Sequence, residues 1–261
     1  MFEELREKGW NIKDINNGLV ISETLFKEEM DSLTETLTKF KLSTEDHFIK
    51  RGGGESDQTS HLSKKFYDEG WIKNKVSVMN KIMFENKFDE ITDQGTTHEI
   101  DHIGSNDMGE KFALEIEWNN KDEFLDRDFL NFEKLWKLRA IDLGIIITRG
   151  IDLEKGIASA VENYFRLKGI REINDFNNLR ENLKDDQGRE RFSFPTEPQR
   201  REIEKSNDYF IKASSKVFST QKYGSSTTNW KQLQKRLERG AGGRTPMIFF
   251  GIPNSTIIPQ D

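Results

Sequence analysis

The chain has 261 residues, is 33% charged and 34% hydrophobic, and carries a net charge of −6. That length allows a sizeable core, and 19 phenylalanines argue against disorder throughout. The absence of cysteine excludes disulfides, thiolate zinc sites and thiol nucleophiles, and no run approaches the roughly 20 apolar residues of a membrane span.

The start, Met1-Phe-Glu-Glu-Leu-Arg, lacks the basic-then-apolar layout of a secretory signal, so a cytoplasmic protein is expected. Residues 1 to about 48 carry helical periodicity, with Leu33, Leu37 and Phe40 at helical intervals. Lys50 to Ser60, containing Arg51 and three glycines, reads as a loop. Its backbone N–H groups and Arg51 are candidates for phosphate contact, against the plainer reading of a connector. His61 to Lys87 reads as a further helix, with Phe66, Trp71, Val78, Ile82 and Phe84 as core candidates. Residues 1–90 are thus expected to be a helical N-terminal part.

Glu99 to Asp122 reads as two strands joined by a turn. Phe112, Leu114, Ile116 and Trp118 alternate with Ala113, Glu115, Glu117 and Asn119. A period of two puts the apolar set on one face and both glutamates on the other. Asp101 on the first strand brings a third carboxylate. Oxygen donors converging in this way suit a hard divalent cation such as Mg²⁺, which can activate water against a phosphodiester. The alternation sets His98 and His102 opposite Asp101, as packed or hydrogen-bonded histidines. The spacing Asp-x13-Glu-x-Glu alone carries little weight in a chain with 46 acidic residues. Its context carries more.

Asp126 to Arg139 reads as an amphipathic helix, with Asp126 and Asp128 as N-terminal capping acids and Arg127 solvated or aimed at a phosphate. Leu143 to Thr148 is a continuous apolar run, as in a strand buried on both faces. Strand, acid-bearing strand, crossover helix and buried strand together resemble the catalytic core of the PD-(D/E)XK nuclease superfamily. The Glu-x-Glu form is similar to the BamHI and BglII type of type II restriction endonuclease, over residues of about 97–150. The resemblance implies an α/β fold: a restriction-endonuclease-like core with a central mixed sheet flanked by helices. It further implies that Asp101, Glu115, Glu117 and the Ile116 carbonyl hold Mg²⁺, with Mn²⁺ able to substitute. Asp101, Glu115 and Glu117 are then the catalytic residues, and Glu117 stands where the superfamily usually has lysine. A fourth acid is expected from Glu85 or Glu90. Lys121, just past the acid-bearing strand, can neutralise phosphate charge or simply be exposed.

Leu153 to Leu167 reads as a helix. Arg171 to Ser206 is highly charged, poor in aliphatics and interrupted by Pro195 and Pro198, as in a linker or insertion. Lys212 to Arg244 then holds eight basic residues against Glu238 alone. Such clustering is the electrostatic footprint of nucleic-acid contact, so residues of about 207–252 are expected to meet DNA. The candidates are Lys222, Ser225, Ser226, Thr227, Thr228, Asn229, Lys231, Arg239 and Arg244, besides Arg51 and Lys121. The Gly240-Ala-Gly-Gly243 run lacks the ending of a nucleotide-binding P-loop. Lys231 to Glu238 reads as a short helix and Met247 to Ile252 as a last strand.

The chain is therefore expected to be one endonuclease domain over 1–261. It would hydrolyse phosphodiester bonds of double-stranded DNA at a palindromic site, with Mg²⁺, as a homodimer away from any membrane, and leave 5′-phosphate ends. The rivals are a repair or junction nuclease of the same fold, and a DNA-binding module with a vestigial metal site.

Overall fold

The computed structural model describes residues 1–50, 57–84, 89–94, 98–185 and 187–260, and for residues 57, 58, 80–84 and 89–94 the backbone alone. Arg51, Glu85 and the Glu90 side chain lie outside the described parts.

In chain order the elements are α1 (Glu3–Glu7), β1 (Asn11–Ile15), α2 (Gly18–Leu25), α3 (Lys27–Lys39), a π-helical turn (Thr44–Ile49), α4 (Asp57–Asp68), β2 (Ile72–Val76), β3 (Met79–Phe84), β4 (Asp89–Gln94), β5 (His98–Ser105), β6 (Lys111–Glu117) and α5 (Phe124–Lys137). There follow β7 (Leu143–Arg149), α6 (Leu153–Leu167), α7 (Asp175–Asn182), α8 (Glu197–Glu204), α9 (Phe210–Tyr223), α10 (Trp230–Glu238) and β8 (Met247–Ile252). Six strands form one mixed sheet, in the order β1-β8-β7-β6-β5-β2. Its centre, β6, β7 and β8, is parallel, and β1, β5 and β2 join antiparallel. A mixed sheet flanked by helices is the architecture expected from the sequence.

The sheet has two apolar faces. Phe112, Leu114, Ile116, Ile145 and Ile147 look toward the larger core, built with α3, α6 and α9. Ala113, Ile146, Met247 and Phe249 look toward the smaller one, closed by Leu125, Phe129, Phe132 and Leu135 of α5 and Leu233 of α10. A parallel strand covered on both faces has no side left for solvent, and every residue of β7 is buried.

Three expectations are corrected. The N-terminal part is not wholly helical, because Asn11–Ile15 is an edge strand of the sheet. Asn16 and Asn17 at φ 52° and 62° turn the chain out of it, a conformation asparagine tolerates better than most residues. At the next residue a Cβ on Gly18 would sit 2.2 Å from the Met247 carbonyl oxygen, so only glycine fits. The helix read over His61–Lys87 stops at Asp68, and Gly70 at φ 79° leads into β2 and β3. Phe66 and Trp71 are core residues, Val78 is half-buried, and the side chains of Ile82 and Phe84 lie outside the described parts. The third correction concerns 171–206, which is packed structure and not a linker. Phe176, Phe192 and Phe194 form one cluster with Phe165 of α6 and Phe218 of α9, mostly through edge-to-face ring contacts. Aromatic rings supply the core there that aliphatic residues do not.

Candidate active site

The strict alternation of β6 sets Glu115 and Glu117 together on the face that α5 covers, both only 2% exposed. Far from being a solvated hairpin face, this places two carboxyl groups inside the protein. Burying charge without compensation is costly, so the surroundings of the pair decide what it is for.

Asp101 reaches the pair from β5. The β5–β6 ladder is paired from Ser105–Lys111 to His102–Leu114. Beyond it the Asp101 carboxylate takes over as acceptor, receiving the Ile116 N–H at 3.1 Å on Oδ2. The Asp101 N–H in turn donates to Glu115 Oε2 at 3.3 Å. The structure brings these three acids into one neighbourhood.

The histidines divide. His102 is a packed histidine as expected, its ring nitrogens 3.1 Å from the Trp71 carbonyl and from Ser63 Oγ. His98 is hydrogen-bonded, also as expected, but on the other face from the one read, and a bulge in β5 explains why. Ile72 and Asn74 of β2, two residues apart, face Ile103 and Ile100, three apart. The extra residue reverses the inside–outside parity between them. Ile100 and Ile103 both pack toward α5, and His98 shares the face of Ile100. Its Nε2 lies 3.2 Å from Glu115 Oε1. Alternation alone placed His98 on the opposite face from the acids. The structure brings it to them.

The fourth acid comes from α5 and is Asp128. That helix starts at Phe124, and its N-cap position is Glu123, not Asp126 or Asp128. Asp128 is fully buried beside Glu115 and Glu117, and Arg127 Nε and Nη2 donate to its Oδ1 at 3.1 and 3.0 Å. Its Oδ2 is buried without a hydrogen-bond partner. The signal was present in the sequence. The buried positions of α5 are Leu125, Asp128, Phe129, Phe132 and Leu135, so Asp128 falls within the apolar stripe, where an acid has no structural reason to be.

The electrostatics follow from crowding like charges in a dry place. Burial, then the charges of Asp128 and Asp101, push the Glu115 carboxyl well above the usual carboxylate range. Burial and Asp128 raise Glu117 to about 9. Asp128 rises to about 6 through burial, against the pull of Arg127. Burial, then Arg127, holds the His98 imidazole below its ordinary value. The guanidinium of Arg127 also stands 3.6 Å from Glu117 Oε1, packs over the Phe124 ring and remains 43% exposed. Glu117 Oε2 accepts from Asn120 at 3.0 Å. One arginine does not neutralise four carboxyl groups. A divalent cation fits this cluster, since the orphaned Asp128 oxygen and the raised proton affinities mark a missing positive charge.

Beside Glu117 lies the segment expected to meet DNA. The Thr228 N–H donates to the Asn120 carbonyl at 2.9 Å, and the Asp122 N–H to the Ser226 carbonyl at 3.1 Å. Lys121 pairs with Thr227 in an isolated bridge. Its side chain is exposed, as are Ser225, Ser226, Lys231, Arg239 and Arg244. Other candidates turn inward. Lys222 Nζ donates to the carbonyls of Phe48 and Lys50 at 2.6 and 2.8 Å. Thr227 bonds Arg149 and Gly224, Thr228 is fully buried, and Asn229 caps α10 through the Gln232 N–H. The side chains of Lys222, Thr227 and Asn229 hold the segment in shape and the Thr228 hydroxyl is buried, so the structure turns these four away from solvent. Arg236, in the same basic run, is consumed by Asp122 and Asp126.

Sheet order, crossover helix and acid cluster define a nuclease of the restriction-endonuclease-like α/β class. The family model for restriction endonuclease BglII/BglIII matches residues 10–252, nearly the whole chain, and the chain belongs to that family. It is a type II restriction endonuclease, a sequence-specific deoxyribonuclease acting on double-stranded DNA, of a kind that generally uses Mg²⁺. No curated protein matches it. No helix among the described residues is long and apolar enough to cross a membrane.

Proposed function

We propose that the chain acts as one nuclease domain over 1–261. In this reading it cleaves both strands of a palindromic DNA site as a Mg²⁺-dependent homodimer, leaving 5′-phosphate and 3′-hydroxyl ends. The observation that carries this reading is the buried carboxyl cluster at the ends of β5 and β6, with one oxygen of Asp128 left unbonded. A vestigial site has no reason to keep so costly an arrangement.

Asp101 and Glu115, with the Ile116 carbonyl, would hold Mg²⁺, and Mn²⁺ would serve in its place. When bound, the cation supplies Lewis acidity toward the scissile phosphate and offsets the charge of the cluster. Glu117 takes the proton from the attacking water. A carboxylate whose proton affinity is raised by burial is the better base, and lysine in its place would serve only after losing its own proton. Asn120 fixes the orientation of Glu117. Arg127 faces the phosphate, because its Nη1 has no hydrogen-bond partner among the described residues, and a guanidinium suits phosphate geometry. Lys121, Lys231, Arg239 and Arg244 contact the DNA backbone, and Ser225 and Ser226 present donors toward it.

One active site cuts one strand, so a two-fold dimer is needed for both, and its symmetry matches a palindrome. Support for self-association comes from α5, whose outer side exposes Leu130 at 67%. Plasmid cleavage by Asp101→Ala, Glu115→Ala and Glu117→Ala tests the chemistry. All three should lose cutting, and near wild-type rates for either of the first two would defeat the assignment. Sedimentation with a short cognate duplex should give two chains per duplex. One chain per duplex, with nicks only, would contradict the dimer.

A further inference from the structure

We propose that His98 and Asp128 join Glu115 as direct ligands of the divalent cation, giving the centre a nitrogen donor and a preference for first-row transition ions over Mg²⁺. The proposal rests on the reading of the acid cluster as a metal centre, and it names ligands which that reading does not.

One ligand atom from each of His98, Glu115 and Asp128 lies within 4.8 Å of the others. Around an octahedral Mg²⁺-sized ion with bonds of about 2.1 Å, ligand atoms stand roughly 3 to 4.2 Å apart. The three therefore close on an ion through small side-chain adjustments. They come from three elements, β5, β6 and α5, held together by the smaller core. The site is consequently built into the packing and does not depend on a loop.

Two further observations point to a ligand. Asp128 is fully buried, Arg127 satisfies its Oδ1, and Oδ2 has no partner. A buried carboxylate oxygen without a donor is expensive unless something positive meets it. His98 tells the same story from the other side. His102 has both ring nitrogens engaged, with the Trp71 carbonyl and Ser63, and is a structural residue. The His98 ring has Glu115 as its one hydrogen-bond partner among the described residues, and the β5 bulge is what turns it toward that carboxylate. Glu115 lies between this position and Asp101, so it serves both sides of the centre.

A nitrogen ligand discriminates among cations. Mg²⁺ keeps oxygen ligands, whereas imidazole raises affinity for transition ions in the Irving–Williams order. The test uses Mn²⁺ alone with the full-length, metal-free protein and no DNA. Pulsed electron paramagnetic resonance reads ¹⁴N coupling to the bound ion. The wild type should show one directly bonded nitrogen. His98→Gln should still bind Mn²⁺ but lose the coupling, with affinity lower by about tenfold or more, a loss at least as large as removal of an outer-shell partner. Its Mg²⁺ affinity should fall by less. Asp128→Asn should weaken Mn²⁺ binding while the coupling stays. Mn²⁺ bound by the wild type without ¹⁴N coupling, or coupling that survives in His98→Gln, would overturn the ligand assignment and leave the acid cluster as the cation site. No saturable Mn²⁺ binding would overturn the assignment and the metal-centre reading together.

Discussion

Two groups of buried charge lie at the same end of the sheet, and they are built on opposite principles. Arg149, at the end of β7, is 1% exposed. Its guanidinium donates to the carbonyls of Trp118, Tyr223 and Thr228 and to the Thr227 hydroxyl. Neutral dipoles surround it, and burial lowers its pKa to about 10, so it remains charged at neutral pH. The acid cluster next to it, also buried, has like charges as neighbours, raised proton affinities and an oxygen with no partner. The arginine is complete and holds the 224–229 segment to the sheet. The acids leave an oxygen without a partner and like charges without balance, which is why they are proposed to await a cation. Buried charge that is fully hydrogen-bonded reads as architecture, and buried charge left unbalanced reads as chemistry.

Breaking each side of this contrast should have opposite consequences. The largest effect is expected at the acids, where Glu115→Ala removes several kcal/mol of transition-state stabilisation, about a thousandfold in cleavage rate. Single-turnover cleavage of a cognate duplex measures it. A folded Glu115→Ala protein cutting within tenfold of wild type would erase the distinction. At the arginine, Arg149→Leu orphans several buried carbonyl oxygens, each costing about 1–3 kcal/mol. Its loss should therefore appear in the denaturant midpoint, by on the order of 3 kcal/mol, and Arg149→Lys should recover only part of it, because an ammonium offers fewer donors.

Smaller changes sharpen the comparison where the two regions touch. Asn120 holds the Glu117 carboxylate with its side chain and the Thr228 N–H with its carbonyl. Asn120→Ala keeps the backbone bond and loses the other, so cleavage should fall about 10- to 100-fold with DNA affinity in Ca²⁺ unchanged. An affinity loss as large as the rate loss would contradict that division. The smallest effect concerns lysines. Lys231→Ala should weaken DNA binding and reduce the salt dependence of the binding constant by about one ion. Lys222→Met should lower stability and leave the salt slope alone, because its ammonium is committed to Phe48 and Lys50. Equal slopes for the two variants would refute the placement of the DNA face.

What the sequence disclosed follows from how local each signal was. The alternation of β6 and the apolar run of β7 are contained in single strands, and both stand in the structure as read. Residue Asp128 was legible too, since its spacing from Leu125 and Phe132 sets it in a buried stripe, but its nearness to the helix start suggested a cap. The position of His98 was not legible. Its face depends on a bulge that arises only when β5 pairs with β2, and no period within β5 announces that. The inward turn of Lys222 and Thr228 likewise depends on partners more than 70 residues away, in the π-helical turn, just past β6 and on β7. The Phe176–Phe192–Phe194 cluster escaped because a charged stretch poor in aliphatics resembles a linker until its rings are seen to meet.

The central claim is that the buried carboxyl groups are held in readiness for a cation, and thermal unfolding tests it most directly. Carboxyl groups whose folded pKa lies above the unfolded value bind more protons folded than unfolded. They stabilise the fold fully at low pH, and that contribution is lost as pH rises through the folded values, about 6 for Asp128 and about 9 for Glu117. Metal-free wild type should therefore become less stable as pH is raised from 5 to about 9. At pH 8 in chelator, Glu115→Gln should melt higher than wild type, because a neutral amide avoids the cost of burying a carboxyl that the unfolded chain ionises freely. Saturating Mg²⁺ or Mn²⁺ should reverse that order by stabilising the wild type and hardly shifting the variant. A variant that melts below wild type in chelator, or a cation that shifts both equally, would contradict the account.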